Sequence, residues 1–283
     1  MRKTLFSGIA ACLLATAATA AEQSPSVIWT VGQADRSASE FALAPDRFRD
    51  FLANDFGYED KYFLVGHSVP AADFPYVLPG PADTWGGTWP TSGWRTHQVN
   101  ILFGLKEIPS DGTCTLVVDL LDYAKNFLPL VKVSVNTQDA KFQLDAPGLC
   151  VADQCKPNQM EKIVDTLSIT GNLAKATPRR LEIPIRPGVL KAGGNEVTIT
   201  VLEGSWILFD RVSLEGPAGT NVEQPQQLFI RNIEAAPYEL ADGKRRVQPL
   251  LVDLEWLEGA PALSVELDDK EICLLYTSDA ADE

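Results

Sequence analysis

Lys191-Ala192-Gly193-Gly194-Asn195-Glu196-Val197-Thr198-Ile199-Thr200-Val201-Leu202-Glu203-Gly204-Ser205-Trp206-Ile207-Leu208-Phe209 is the stretch that decides the fold class. Residues 191–195 carry turn chemistry, 196–201 alternate β-branched and polar side chains, Glu203-Gly204 turns the chain again, and 206–209 resume as an apolar strand. The same pattern recurs at 27–31, 62–65, 99–103, 115–121, 131–135, 141–144 and 181–185, with turn signals at Asp111-Gly112 and Asn136-Thr137. Strands that alternate apolar and polar residues bury one face and wet the other. Short strands at this spacing, with almost no helical periodicity between them, predict an all-β, antiparallel β-sandwich.

One helix is expected, over 45–54, where Pro45 suits a first helical position and Phe48, Phe51 and Leu52 share a face. A weaker helical pattern covers 159–167. Trp29 and Trp206 lie in apolar strands and read as core.

Domain organisation follows from composition. The sandwich is expected over 26–218, a Gly/Pro-rich linker over 219–226, and the start of a second β module over 227–272, with strands at 227–231, 247–252 and 263–267. About fifty residues are too few to complete a sandwich, so that module reads as truncated. Residues 273–283, beginning at Cys273, resemble the translated sequencing-adapter tail found on metagenome-derived reading frames, and no functional reading is drawn from them.

Residues 1–20 read as a secretion signal: Met1-Arg2-Lys3 is positive, the following run is apolar and rich in small residues, and Ala18-Thr19-Ala20 fits a cleavage site. Secretion or export to the periplasm is therefore expected, with cleavage near Ala20. Ile9-Ala10-Ala11-Cys12 has too little apolar sequence before it for a lipoprotein box. No stretch is apolar for long enough to predict a membrane span. The formal net charge is −14, and loss of Arg2 and Lys3 makes it more negative. Lysines and arginines are scattered, so no basic stripe offers itself to nucleic acid.

In an oxidising compartment Cys150 and Cys155, bracketing Val-Ala-Asp-Gln, are spaced to close a small disulfide loop. Cys114 reads as a buried thiol in a strand. His67 has no metal-ligating partner at useful spacing and reads as structural. Asp119 and Asp122 flank a strand end, and Asp55, Glu59 and Asp60 share a loop; with 38 acidic residues such pairs arise by chance, and they read as solvated surface. No D-x-D-x-D spacing supports a structural Ca²⁺, and no cofactor is expected.

Half of the six tryptophans lie on one Gly/Pro-rich stretch, 80–94: Trp85, Trp89 and Trp94. Such rings either close one end of a sandwich or present flat faces to a sugar. Arg95 and His97, immediately after, are candidates for hydrogen bonds to a sugar hydroxyl or carboxylate, and Arg95 is equally placed in sequence to pair with Asp83 or Glu107.

The run Ile28-Trp29-Thr30-Val31-Gly32-Gln33-Ala34-Asp35, then Glu40-Phe41, Asp73-Phe74-Pro75, 99–103, 131–136, Gly194-Asn195-Glu196-Val197-Thr198-Ile199 and Phe209-Asp210-Arg211-Val212-Ser213-Leu214, resembles the carbohydrate-binding-like third domain of polysaccharide lyase family 4, the rhamnogalacturonan lyases. The resemblance spans roughly residues 26–218 and implies a galactose-binding-like jelly roll appended to a carbohydrate-active enzyme. It implies no catalytic residue, because that family's catalytic Lys and His belong to a separate domain. The stretch 80–94 is not part of the pattern. The chain is thus expected to be a non-catalytic binding or accessory module with a polysaccharide or oligosaccharide partner, pectin-like polymers among them. The alternatives are part of a lyase or glycoside hydrolase whose active site lies in a missing domain, and a structural spacer.

Overall fold

The computed structural model describes residues 26–87, 96–108, 113–145, 167–258, 263–267 and 270–275. Two facing sheets are built from β1 (Ser26–Gly32), β2 (Tyr62–Leu64), β3 (Val77–Leu78), β4 (Gln98–Leu105), β5 (Thr115–Tyr123), β6 (Leu130–Val135), β7 (Gln138–Gln143), β8 (Arg179–Pro184), β9 (Gly193–Glu203), β10 (Ile207–Gly216) and β11 (Val222–Glu223). The first sheet runs β1-β10-β5-β8, with β3 also on β10. The second runs β11-β4-β9-β6-β7, with β2 beside β4. Followed along the chain, the long strands alternate between the sheets except at the hairpin β6–β7, which is the crossing pattern of a jelly roll. The all-β sandwich read from the sequence is therefore the fold observed.

Alternation explains which side chains meet. Val131, Val133 and Val135 of β6 and Val197, Ile199 and Val201 of β9 are buried, while Lys132, Ser134, Glu196 and Thr198 point outward. Trp29 and Phe103 lie across the sandwich with ring centroids 5.2 Å apart, and Trp206 is equally enclosed, so both tryptophans are core. Cys114 is a buried free thiol, its pKa raised by burial. The predicted turns hold where they can be seen. Asn136 adopts a left-handed φ of 48° between β6 and β7, and Gly204, at φ 81°, lets the β9–β10 turn lie against the Leu128 carbonyl.

Three local expectations are corrected. The helix expected over 45–54 is a pair of 3-10 turns, Phe48–Asp50 and Leu52–Asn54, ended by Asp55 at φ 58°. Three residues per turn bring Phe48 and Phe51 onto one side as well as a helix would, and both rings are buried. Secondly, β2 pairs parallel to β4. It enters from a long excursion instead of a hairpin, so no tight turn dictates its direction. Thirdly, the strand expected over 247–252 breaks at Pro249 into β14 (Arg245–Val247) and β15 (Leu250–Trp256). Proline has no N–H for a ladder, and its carbonyl instead accepts from Ala236 N at 2.8 Å. Of the weaker helical pattern, residues 159–166 lie outside the described residues and Leu167–Thr170 forms a 3-10 turn.

After the sandwich come β12 (Leu228–Ala235), which pairs with β15, the short hairpin β13 (Leu240–Asp242) with β14, and β16 (Leu263–Leu267) with β17 (Lys270–Leu275). The β12–β15 ribbon docks on the outside of the second sheet. Phe229 is buried against Leu64 and Leu102 there, forming a small apolar cluster separate from the main core.

Candidate functional site

The tryptophan loop leaves the sandwich at Gly80, where a side chain would come within 2.8 Å of the Ser205 carbonyl. Asp83, itself buried, fastens it: one carboxylate oxygen accepts from Gly80 N at 2.8 Å and the other from Ser205 Oγ at 2.5 Å. Ala82 N donates to Gly204 O at 2.9 Å. The loop is thus tied to the β9–β10 turn before it presents Trp85 on a 3-10 turn, Thr84–Gly86, closed by Gly87 at φ 75°.

Trp85 stands edge-on to Phe48, 5.0 Å between centroids, and to Phe51 at 6.3 Å, half-buried over both. This packs the ring over the aromatic end of the core and leaves part of it in solvent. The Arg49 guanidinium, exposed, lies 4.6 Å from the Phe48 centroid. Trp89, Trp94 and Arg95 lie outside the described residues, as do Cys150 and Cys155.

His97 is turned inward and only 1% exposed, its ring 5.5 Å from that of Phe51 and under Gly57, where any side chain would overlap the imidazole. The sequence reading that gave it a sugar hydroxyl is corrected: strand parity at the entry to β4 directs it into the core. His67 is exposed in the turn after β2, where its N–H bonds Leu64 O at 3.0 Å.

Of the carboxylates flagged by sequence, Asp119 and Asp122 are engaged by cations. Asp119 bonds Arg211 Nε at 2.9 Å and Arg180 at 3.3 Å. Asp122, fully buried, accepts from Lys125 Nζ at 2.8 Å, Ser168 Oγ at 2.6 Å and Thr177 N at 3.0 Å. Both are more enclosed than the surface reading expected, and each is compensated where it lies. Burial lowers the Lys125 pKa, opposed by Asp122. Glycoside hydrolysis needs one carboxyl poised to donate and another free to attack or activate water, and neither of these two is free. Among the described residues no group of three or more His, Cys, Asp or Glu could hold a metal.

The sequence signature, by contrast, is spent on architecture. Gly32, at φ 80°, lets β1 end against Phe41 and lie close to the Asp210 carbonyl. The Asp210 carboxylate accepts the Arg36 N–H at 3.0 Å and so holds the loop that follows β1. Asn195 bonds Lys191 N and O at 3.0 and 2.8 Å and Asn136 Nδ2 at 2.9 Å, while Asn136 receives Glu196 N at 2.9 Å, locking two turns together. A family model, CBM-like: polysaccharide lyase family 4, domain III, matches residues 27–214. The chain belongs to this family.

A solved structure of a family GH115 4-O-methyl-α-glucuronidase with specificity for decorated arabinogalactans is similar over 42% of the chain, at 15% identity and a TM-score of 0.22. The chain covers 13% of that enzyme. No curated protein matches significantly. Sequence reasoning missed what supports Trp85, namely Phe48 and Phe51 beneath it and Asp83 on Ser205. The Asp three residues after Gly80, in a Gly/Pro turn, was the available signal.

Proposed function

We propose that this chain is a secreted, non-catalytic carbohydrate-binding or accessory module of a larger polysaccharide-degrading enzyme, with a polysaccharide or oligosaccharide, pectin-like polymers included, as its partner. The observation that carries this reading is the CBM-like family match over the jelly roll, joined to a half-exposed Trp85 on an anchored loop. The neutralisation of Asp119 and Asp122 by cations favours a binding role over catalysis by these residues. The leader at 1–20, the further module beginning near 227 and the Cys150–Cys155 disulfide belong to the same reading.

Trp85, with Trp89, Trp94 and Arg95, is the contact surface in this reading, and His97 packs on Phe51, which in turn meets Trp85. Affinity electrophoresis of the chain in gels containing rhamnogalacturonan, galactan or arabinan should show retardation, weakened in Trp85→Ala and Trp89→Ala. A stacked ring contributes ~1 kcal/mol, about a fivefold change in affinity. Migration unaffected by every polymer would leave the spacer role instead. Release of unsaturated uronides by the chain alone would overturn the non-catalytic assignment.

A further inference from the structure

The β12–β15 ribbon touches the second sheet closely at one place and stands away from it beyond. At Gly194 a side chain would overlap the Ile230 carbonyl oxygen and lie 2.7 Å from that of Arg231. Away from this pinch the two surfaces diverge around two hollows of about 600 Å³ each, which share Lys191, Gly194, Arg231 and Asn232. Ser134 and Thr198, register partners on β6 and β9, floor one of them.

The walls are ordered by their own contacts. Arg231 bonds Glu255 at 2.8 Å and Glu196 at 3.4 Å, and Lys191 Nζ bonds Asn232 Oδ1 at 2.9 Å. Ser134, Glu196, Thr198, Arg231 and Asn232 all line the hollow over Ser134 and Thr198, and each is only partly buried. Guanidinium, carboxylate and amide are planar and offer two polar atoms side by side, which suits paired hydroxyls on adjacent carbons. Arg231 is matched by carboxylates, so the cleft has no surplus positive charge to call for an anion. The lining of the hollow over Ser134 and Thr198 includes no aromatic ring among the described residues, so a ligand there is read by its edges and not its faces. Its volume lies within the ~300–1,000 Å³ usual for small-ligand sites.

We propose that this cleft binds a short neutral oligosaccharide edge-on through paired hydroxyls, at a site separate from Trp85. The proposal rests on the reading that the chain binds carbohydrate. It adds a second site, shared between the jelly roll and the ribbon, that holds a chain end or side branch while the tryptophan loop meets the polymer.

Titration of the full chain with neutral tetrasaccharides of galactose, arabinose and glucose, and with tetragalacturonate, followed by saturation-transfer NMR and calorimetry, tests it. At least one neutral tetrasaccharide should bind the wild-type chain, and more tightly than tetragalacturonate does; its binding should be about tenfold weaker to Ser134→Trp, which fills the hollow, and at least threefold weaker to Asn232→Leu. If Ser134→Trp does not fold, Asn232→Leu decides. Binding equal to wild type in the cleft variants, or a preference for tetragalacturonate, overturns the proposal. Binding lost in Trp85→Ala and untouched in the cleft variants overturns the cleft alone and leaves the wider reading standing. A wild-type chain retarded by polymer yet binding no tetrasaccharide does the same, and one that binds neither defeats both.

Discussion

The Trp85 ring meets the Phe48 ring edge-on, 5.0 Å between centroids and at 79°. One loop residue thereby closes the aromatic end of the core and keeps part of its surface in water. Trp85→Ala should lower stability by about 2 kcal/mol, below the ~3–5 kcal/mol of a fully buried tryptophan. Trp85→Phe should recover most of that. Urea unfolding gives the stability, and polymer retardation of the same variants separates a lid from a platform: a pure lid loses stability without losing affinity in the folded fraction.

Asp83 is the anchor of that loop. Asp83→Ala strips the partners from Gly80 N and Ser205 Oγ at a buried site and should cost about 2–3 kcal/mol, whereas Asp83→Asn keeps one acceptor and should cost less. Denaturant midpoints of the pair check this. Equal losses for both would show that the hydrogen bonds are not what holds the loop.

Asp210 makes stability depend on pH. Burial, then the charges of Asp35 and Asp119, push its carboxyl up to about 6 from 3.8, against the N–H bonds of Arg36 and Ser37. The folded state therefore binds the proton more readily than the unfolded chain. The stabilisation is complete below 3.8 and is lost as pH rises through about 6. Asp210→Asn should stabilise the protein at pH 7 by about 1 kcal/mol or more, and the advantage should vanish by pH 4. Melting temperatures of both proteins across this range provide the measurement.

Gly194 should be intolerant of a side chain for a reason outside the jelly roll. Gly194→Val should lift the β12–β15 ribbon and free Phe229 from Leu64 and Leu102 while the sandwich core survives. Limited proteolysis should then cut near 217–227 well before the wild type is cut. Tyr62, held up to about 12 by burial and by Glu255, should titrate nearer its ordinary value once the ribbon leaves. Unchanged cleavage would show that the ribbon is not held at this crossing.

Strand identity was legible in the residues because period-two alternation is local, as at Val131-Lys132-Val133-Ser134-Val135 with Asn136 turning the chain. The helix at 45–54 was misread because Phe48 and Phe51, three apart, satisfy a helix and a 3-10 turn alike. The break at Pro249 was written in the sequence, as a residue with no N–H inside an apparent strand. His97 was not decipherable, since a polar ring after an undecided loop gives no clue to its side of the sheet. The crossing at Gly194 was legible only as a turn glycine, because the ribbon that presses on it lies some forty residues further along the chain.

By itself the sequence determined the all-β class, the strand and turn alternation, and a signature whose members proved to be turn locks and close approaches: Gly32, Asn195 and Asp210. These are local demands of backbone geometry and hydrogen bonding, so they are written where they act. The tertiary structure alone decided that Trp85 rests on Phe48 and Phe51, that Asp83 holds Ser205 and that His97 faces inward. It alone decided, too, that a cleft opens between β9 and β12. Each of these joins residues far apart in the chain, and such contacts exist only once the long-range strand pairing is complete.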